Sequence, residues 1–331
     1  MKEQIGRPKK KITLHEVNRR KRIAKLCVFL ALFFLVAVVG IFFPYRRWLP
    51  AYQFSPRTAG ELRVHFLAVG QADCSIVEFP DGEVLVIDGG DGTWKARNHL
   101  FRFLKGLAPT ELSLLVTRAS IDHYGGFEEI LNNFPVQTLY LPALAGNEDE
   151  YWAMVAAADE NGCKTERVSR YDVFDHPSGA YLCCISPYSR EETEEDEAST
   201  VLFFQYQEVK ILFGSDIPSK RERKLYSEYL LDEHIFDSGA FPVRLSEIDV
   251  LRVSRNGSSA ASYDEWIQLL KAECAIVSCG RGNSYQMPHS SAMQTLKASG
   301  AEIYRTDELG DITVAIKGGT YSVTHTQRSE L

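Results

Sequence analysis

The chain has 331 residues, 45% of them hydrophobic, enough for one domain of roughly 250 residues with its own core plus a small appendage. Its net charge of -7 conceals a split: residues 1–25 hold ten Lys/Arg and two Asp/Glu, and the remainder holds 27 Lys/Arg against 42 Asp/Glu. The acidic body carries no basic stripe, which argues against DNA as its partner.

Residues 26–43 read LCVFLALFFLVAVVGIFF, 18 uncharged and mostly apolar residues in a row. As a helix they reach about 27 Å, one bilayer core. A soluble helix of this kind would need burial on every side. Five basic residues stand at 19–25, so this end is expected to stay in the cytoplasm, with Tyr45 and Trp48 at the outer interface. The run is long for a signal peptide, and no small-x-small cleavage site follows it before Pro50. The expected organisation is a basic cytoplasmic tail (1–25), a transmembrane helix (26–43), a linker (44–60) and an extracytoplasmic domain (61–325).

From residue 61 the pattern becomes β-rich. Short runs at 63–67, 74–78 and 84–88 predict strands, and Pro80-Asp-Gly82 marks a hairpin between the last two. A helix is predicted near 98–107 and a buried strand at 112–117. Strands and helices then alternate, with helices at 126–132, 149–161, 220–231, 263–270 and 291–299. Strands are expected at 138–141, 181–185, 201–206, 209–213, 250–253, 275–278 and 303–305. A closing hairpin is expected at 311–316 and 320–323. Antiparallel strands followed by alternating units predict mixed sheets covered by helices. The acidic run at 190–200 reads as a solvated loop.

Seven cysteines form no CxxC pair, and most sit in apolar runs, where cysteine acts as a small buried hydrophobe. His15, His99, His176, His234 and His325 are scattered without ligand spacing. There is no P-loop, no GxGxxG fingerprint and no serine triad.

Several segments recur in a familiar order: Phe66-Leu-Ala-Val-Gly-Gln-Ala-Asp73, Val86-Ile-Asp-Gly-Gly90, Leu115-Val-Thr-Arg-Ala-Ser-Ile-Asp-His-Tyr-Gly-Gly126, Ile211-Leu-Phe-Gly-Ser-Asp216, Val250-Leu-Arg-Val-Ser-Arg-Asn-Gly-Ser258 and Ile303-Tyr-Arg-Thr-Asp-Glu-Leu-Gly-Asp-Ile312. This set resembles the metallo-β-lactamase superfamily over about residues 61–323. It is most like the extracytoplasmic C-terminal domain of ComEC-type competence DNA-uptake proteins. The resemblance implies an α/β fold, an αβ/βα sandwich of two mixed sheets, with a metal site at one edge. Hydrolases of that family use two metals, usually zinc, which lower the pKa of a bound water.

Here the chain departs from the family. Where the family has Thr-His-x-His-x-Asp-His, this chain has Thr117, Arg118, Ser120, Asp122 and His123. Arg118 brings a fixed positive charge to the place of a dication. The family's Gly-His-His-Gly-Ser is replaced by Ser254-Arg255-Asn256-Gly257-Ser258, and its Tyr-Gly-His-Pro by Tyr285-Gln286-Met287-Pro288. The frame glycines Gly89, Gly90, Gly125, Gly126 and Gly257 remain. So do Asp73, which resembles the aspartate beneath the family's site, and Asp88, expected to fix the turn into Gly89–Gly90.

The expected vestigial site is therefore Arg118, Ser120, Asp122, His123, Asp216, Arg255 and Asn256. Arg118 or Arg255 is expected to neutralise Asp122 and Asp216 in place of metal, and no cofactor is favoured. The expected role is a membrane-anchored, catalytically degenerate binding or scaffolding module for a protein or a small anionic ligand. Arg118, Arg252, Arg255 and the basic stretch 219–224 are the candidate anion contacts. The alternative is a hydrolase of the phosphodiesterase or nuclease type, with one zinc or manganese on Asp122, His123 and Asp216.

Overall fold

A computed structural model describes residues 21–34, 52, 54–187 and 197–326. The chain divides into two units, 1–50 and 51–331. In the first unit, α1 covers residues 21–34, and its apolar side chains, among them Leu26, Phe29, Phe33 and Phe34, are all exposed. Among the described residues no helix is long and apolar enough to cross a membrane. The rest of the expected span, 35–43, lies outside them, as do the tail to residue 20 and most of the acidic run.

The second unit holds two mixed sheets. The first contains β1 (Leu62–Phe66), β2 (Ser75–Glu78), β3 (Val84–Ile87), β4 (Leu112–Leu115), β5 (Thr138–Leu141), β6 (Lys164–Arg167), β14 (Ile312–Lys317) and β15 (Thr320–His325), in the order β15-β14-β1-β2-β3-β4-β5-β6. The second contains β7 (Val173–Asp175), β8 (Tyr181–Ser186), β9 (Val201–Tyr206), β10 (Val209–Phe213), β11 (Val250–Arg252), β12 (Cys274–Val277) and β13 (Glu302–Arg305), in the order β13-β12-β11-β10-β9-β8-β7. β3 to β6 run parallel, as do β10 to β13, and the other neighbours are antiparallel.

Strands such as Val84-Leu-Val-Ile87 are apolar at every position because both faces are covered. One face packs sheet on sheet through Val64, Phe66, Ile87, Leu115, Phe204 and Phe213. The outer face of the first sheet meets α2 (Trp94–Leu107), α4 (Phe127–Leu131) and α5 (Asp149–Glu160). The outer face of the second meets α6 (Ser219–Leu231), α7 (Asp264–Leu270) and α8 (Ser290–Ala298). The layers are thus helix, sheet, sheet, helix, as expected. The six cysteines of this unit are free and buried.

Several elements differ from the expectation. α2 begins at Trp94 rather than near 98, because Thr93 caps it by accepting from the Ala96 N–H at 3.3 Å. β6 and β7 are edge strands, largely exposed, with too few apolar positions to register as strands. The single turn α3 (Ile121–Tyr124) is too short for a helical period to show.

Candidate functional site

The motif segments of the sequence meet where β3, β4, β10 and β11 end. Asp88 follows β3 with a left-handed backbone (φ 62°), and Ser215 follows β10 with φ 46°. After β11 a short 3-10 turn, Ser254–Gly257, holds Arg255 and Asn256 left-handed at φ 50° and 51°. Such strain persists only where surrounding contacts over-determine the backbone, and it gathers at functional sites. Close packing fixes the frame: a Cβ on Gly126 would lie 2.3 Å from the Gly89 carbonyl oxygen.

His123, on α3, is the centre of the cluster and is 1% exposed. Its Nδ1 lies 2.9 Å from Asp88 Oδ2. The Thr117 N–H donates to Asp88 Oδ1 at 2.8 Å and the Thr117 hydroxyl to Oδ2 at 2.7 Å. Ser215 Oγ in turn donates to Thr117 Oγ1 at 2.7 Å. Asp88 thus orients the imidazole as well as ending its strand. On the other side His123 Nε2 is 3.5 Å from Asp216 Oδ2. Burial pulls the imidazole pKa down, but Asp88 and Asp216 outweigh it and hold it well above its ordinary value. Burial pushes Asp216 up, yet His123 and Arg118 prevail and hold its carboxyl well below the usual range.

Two arginines complete the cluster. Arg118 Nη1 donates to Asp216 Oδ2 at 2.6 Å. Arg252, 3% exposed, pairs with Asp73 through Nη2 and donates from Nη1 to the Ser215 carbonyl at 3.0 Å. Burial lowers the Arg252 pKa to about 9, which leaves it charged at neutral pH. Asn256 Nδ2 donates to Asp73 Oδ1 at 2.8 Å. Three carboxylates (Asp73, Asp88, Asp216) therefore face three cations (Arg118, His123, Arg252), and the formal charges balance.

Of the expected site residues, Arg118, His123, Asp216 and Asn256 come together here. Arg255 supplies the strained backbone, its N–H donating to the Ser215 carbonyl at 2.9 Å. Asp122 stands aside: its Oδ1 accepts from Ser120 Oγ at 2.5 Å. The three donors that converge are Asp73, His123 and Asp216, their ligand atoms within 4.8 Å of one another. His289 is engaged elsewhere, Nδ1 accepting from the Ser259 N–H at 2.8 Å and Nε2 3.1 Å from the Tyr285 carbonyl. The basic stretch after β10 is partly internal: Arg221 is buried and pairs with Glu197 at 3.2 Å. Arg252 as the partner of Asp73 is the pairing that sequence reasoning missed. Its signal is a lone charge inside the apolar strand Val250-Leu-Arg-Val253.

A dinuclear centre does not fit these residues, since Arg118 and Ser120 replace the imidazoles of its first ion. A single ion meets a mixed setting. Asp73 Oδ2 and Asp216 Oδ1 are buried without a hydrogen-bond partner, as open ligand atoms would be. The other oxygen of each carboxylate already carries an arginine.

No family model matches the chain. It is 28% identical over 287 residues to ComE operon protein 3 of Bacillus subtilis, covering 81% of this chain and 35% of that protein. By this match the chain is ComEC-like. Recombination protein 2 of Haemophilus influenzae is a second relative of this ComEC-like chain, 22% identical over 256 residues, covering 76% of it and 28% of the relative. The chain spans about a third of the length of the curated relatives it matches. Among solved structures it is similar to CmlA, a diiron β-hydroxylase from Streptomyces venezuelae, with 13% identity and a TM-score of 0.49 over 79% of this chain and 55% of that one. It is also similar to the metallo-β-lactamase fold protein YhfI of Bacillus subtilis, with 8% identity and a TM-score of 0.46 over 73% and 96%.

Proposed function

We propose that this chain is a membrane-anchored, catalytically degenerate metallo-β-lactamase-fold module that binds or scaffolds a partner at the outer face of the membrane. The observation that carries it is the pair of guanidiniums, Arg118 on Asp216 and Arg252 on Asp73. They supply inside the protein the positive charge that two metals supply in a hydrolase. A dication entering this cluster gains little attraction from groups that are already neutralised, and it must displace a buried ion pair. Anchoring is supported by the 18-residue apolar run and by the exposed apolar faces of α1. The basic residues before the run favour an inside N-terminus. With Arg118 and Arg252 engaged and the body acidic, a protein partner is favoured over DNA.

Crystals grown with zinc and measured at the zinc edge test the site directly. No anomalous peak is expected among Asp73, His123 and Asp216, and no phosphodiester turnover above the metal-free rate. A peak there would establish the second reading instead: one metal held by those three residues in a reduced hydrolase site. The two unpartnered carboxylate oxygens favour that reading, as does Asp88, placed as the carboxylate that commonly orients a metal-bound histidine. The ion would supply acidity to a bound water; Asp88 and Thr117 would fix the imidazole.

A further inference from the structure

His176 has no ligand-like spacing along the chain, yet the fold brings it against two carboxylates. It directly follows β7 in the seven-stranded sheet, whereas Asp81 and Glu83 sit where β2 turns into β3 in the eight-stranded sheet. His176 Nε2 lies 3.2 Å from Asp81 Oδ2 and 3.2 Å from Glu83 Oε2. The imidazole is 7% exposed, and Nε2 makes no hydrogen bond. Phe79 stacks on the ring, with centroids 4.1 Å apart and planes 11° from parallel. Nδ1 is 2.8 Å from Ser178 Oγ. The ring is therefore held on both sides with Nε2 aimed between the two carboxylates.

We propose that Asp81, Glu83 and His176 form a site for one divalent ion of the zinc class, separate from the Asp73–His123–Asp216 cluster, which staples the two sheets together. Nitrogen and oxygen ligands bound at about 2.0–2.2 Å to one ion lie roughly 3.0–3.4 Å apart. Both Nε2 to carboxylate separations fall in that window. A proton on Nε2 is the competing cation, but neither carboxylate is placed to accept it as a hydrogen bond. In the ion-free ring Nδ1 accepts from the Ser178 N–H at 3.1 Å, which leaves the ring proton on Nε2; the ion takes that place, and the ring proton moves to Nδ1, where Ser178 Oγ, 2.8 Å away, accepts it. Asp81 and Glu83 are 49% and 36% exposed, so water can complete the coordination. Glu111 and Asp175 line the same cleft, of about 330 Å³, and deepen its negative field. The site lies at the starting ends of β3 and β4, while the arginine-filled cluster lies at their finishing ends. An ion here joins the β2–β3 hairpin of one sheet to β7, the edge strand of the other.

The test uses the purified full chain, stripped with a chelator and titrated with zinc ion against a chromophoric competitor, with melting curves in parallel. One zinc equivalent is expected to bind and raise the melting temperature. His176→Gln should weaken that equivalent by tenfold or more and remove the zinc-dependent rise. Glu83→Gln, at a more exposed position, should act in the same direction and covers the case in which His176→Gln does not fold. Asp216→Asn should leave the equivalent in place. Identical zinc curves for the native chain and both variants, or no uptake at micromolar zinc, overturn the proposal. So does an equivalent lost in Asp216→Asn alone, which assigns the ion to the other cluster.

Discussion

Arg118 Nη1 and Asp216 Oδ2 meet at 2.6 Å, joining the segment after β4 of one sheet to the segment after β10 of the other. Asp216 is 8% exposed at its side chain and Arg118 17%, so the pair is screened little by solvent. A buried pair of this kind is worth little against two apolar residues, but removing one partner strands the other. Arg118→Met should therefore cost about 3 kcal/mol, read by denaturant unfolding. Arg118→Met combined with Asp216→Asn should cost less than the two single changes together. Additive costs in that double-mutant cycle would show that the pair is not coupled.

The pH dependence follows from the signs of the shifts in the same cluster. His123 has a folded pKa raised above its unfolded value near 6.5, so its contribution is complete below that pH. It is lost as the pH rises through the folded value. Asp216 is shifted the other way, so its contribution is present above about 3.8 and lost as the pH falls through its depressed folded value. The cluster should thus stabilise the fold most between roughly pH 4 and 6.5. His123→Gln should remove the decline on the alkaline side, measured as melting temperature against pH. A decline of unchanged slope in that variant would assign it to another group.

Glu222 offers an independent titration in the second sheet's helix layer. It lies on α6, 1% exposed, with Oε2 accepting from the Tyr263 N–H at 2.7 Å. Burial raises its pKa to about 7, against the hydrogen bonds from Tyr263, Ser262 and Ser254 that lower it. A carboxyl with a raised folded pKa loses stability as the pH climbs from its unfolded value, near 4.5, to about 7, and the loss is constant beyond. Glu222→Gln abolishes that titration. Relative to the native chain, the variant should gain about 3 kcal/mol between pH 4.5 and pH 8. Parallel stability curves for the two proteins would place the titration elsewhere.

The sandwich was legible because its strands are covered on both faces and so read as short apolar runs, as in Val84-Leu-Val-Ile87 and Tyr181-Leu-Cys-Cys-Ile185. β6 and β7 were not, because an edge strand needs no apolar face: Lys164-Thr-Glu-Arg167 is stabilised by its neighbour's backbone, which sequence does not display. At the site, local order was readable and long-range pairing was not. Arg118 stands one residue from Thr117 in sequence, but its partner Asp216 is 98 residues away. Asp73 and Arg252 each look like an isolated charge in an apolar setting until the two sheets bring them together. The same holds for His176, whose partners Asp81 and Glu83 belong to a different hairpin.

If the guanidiniums stand in for metal charge, restoring imidazoles in their place should restore metal. Arg118→His with Ser120→His returns two neutral nitrogen ligands beside Asp216 and removes the cation that now occupies its Oδ2. A zinc ion then meets two nitrogens and one carboxylate, enough for a three-ligand site with an open position. Once Arg118 is gone, the formal charge of the cluster falls by one, so a dication is drawn in rather than held off. The double variant should bind about one zinc per chain more than the native protein, counted by elemental analysis after gel filtration. Zinc should also raise its melting temperature beyond any native response, because an ion that binds only the folded state stabilises it. The single change Ser120→His should gain no zinc, since Arg118 remains on Asp216. Equal uptake by Ser120→His and by the double variant would mean that the arginine does not exclude the ion, and the degenerate reading of the site would fall with it.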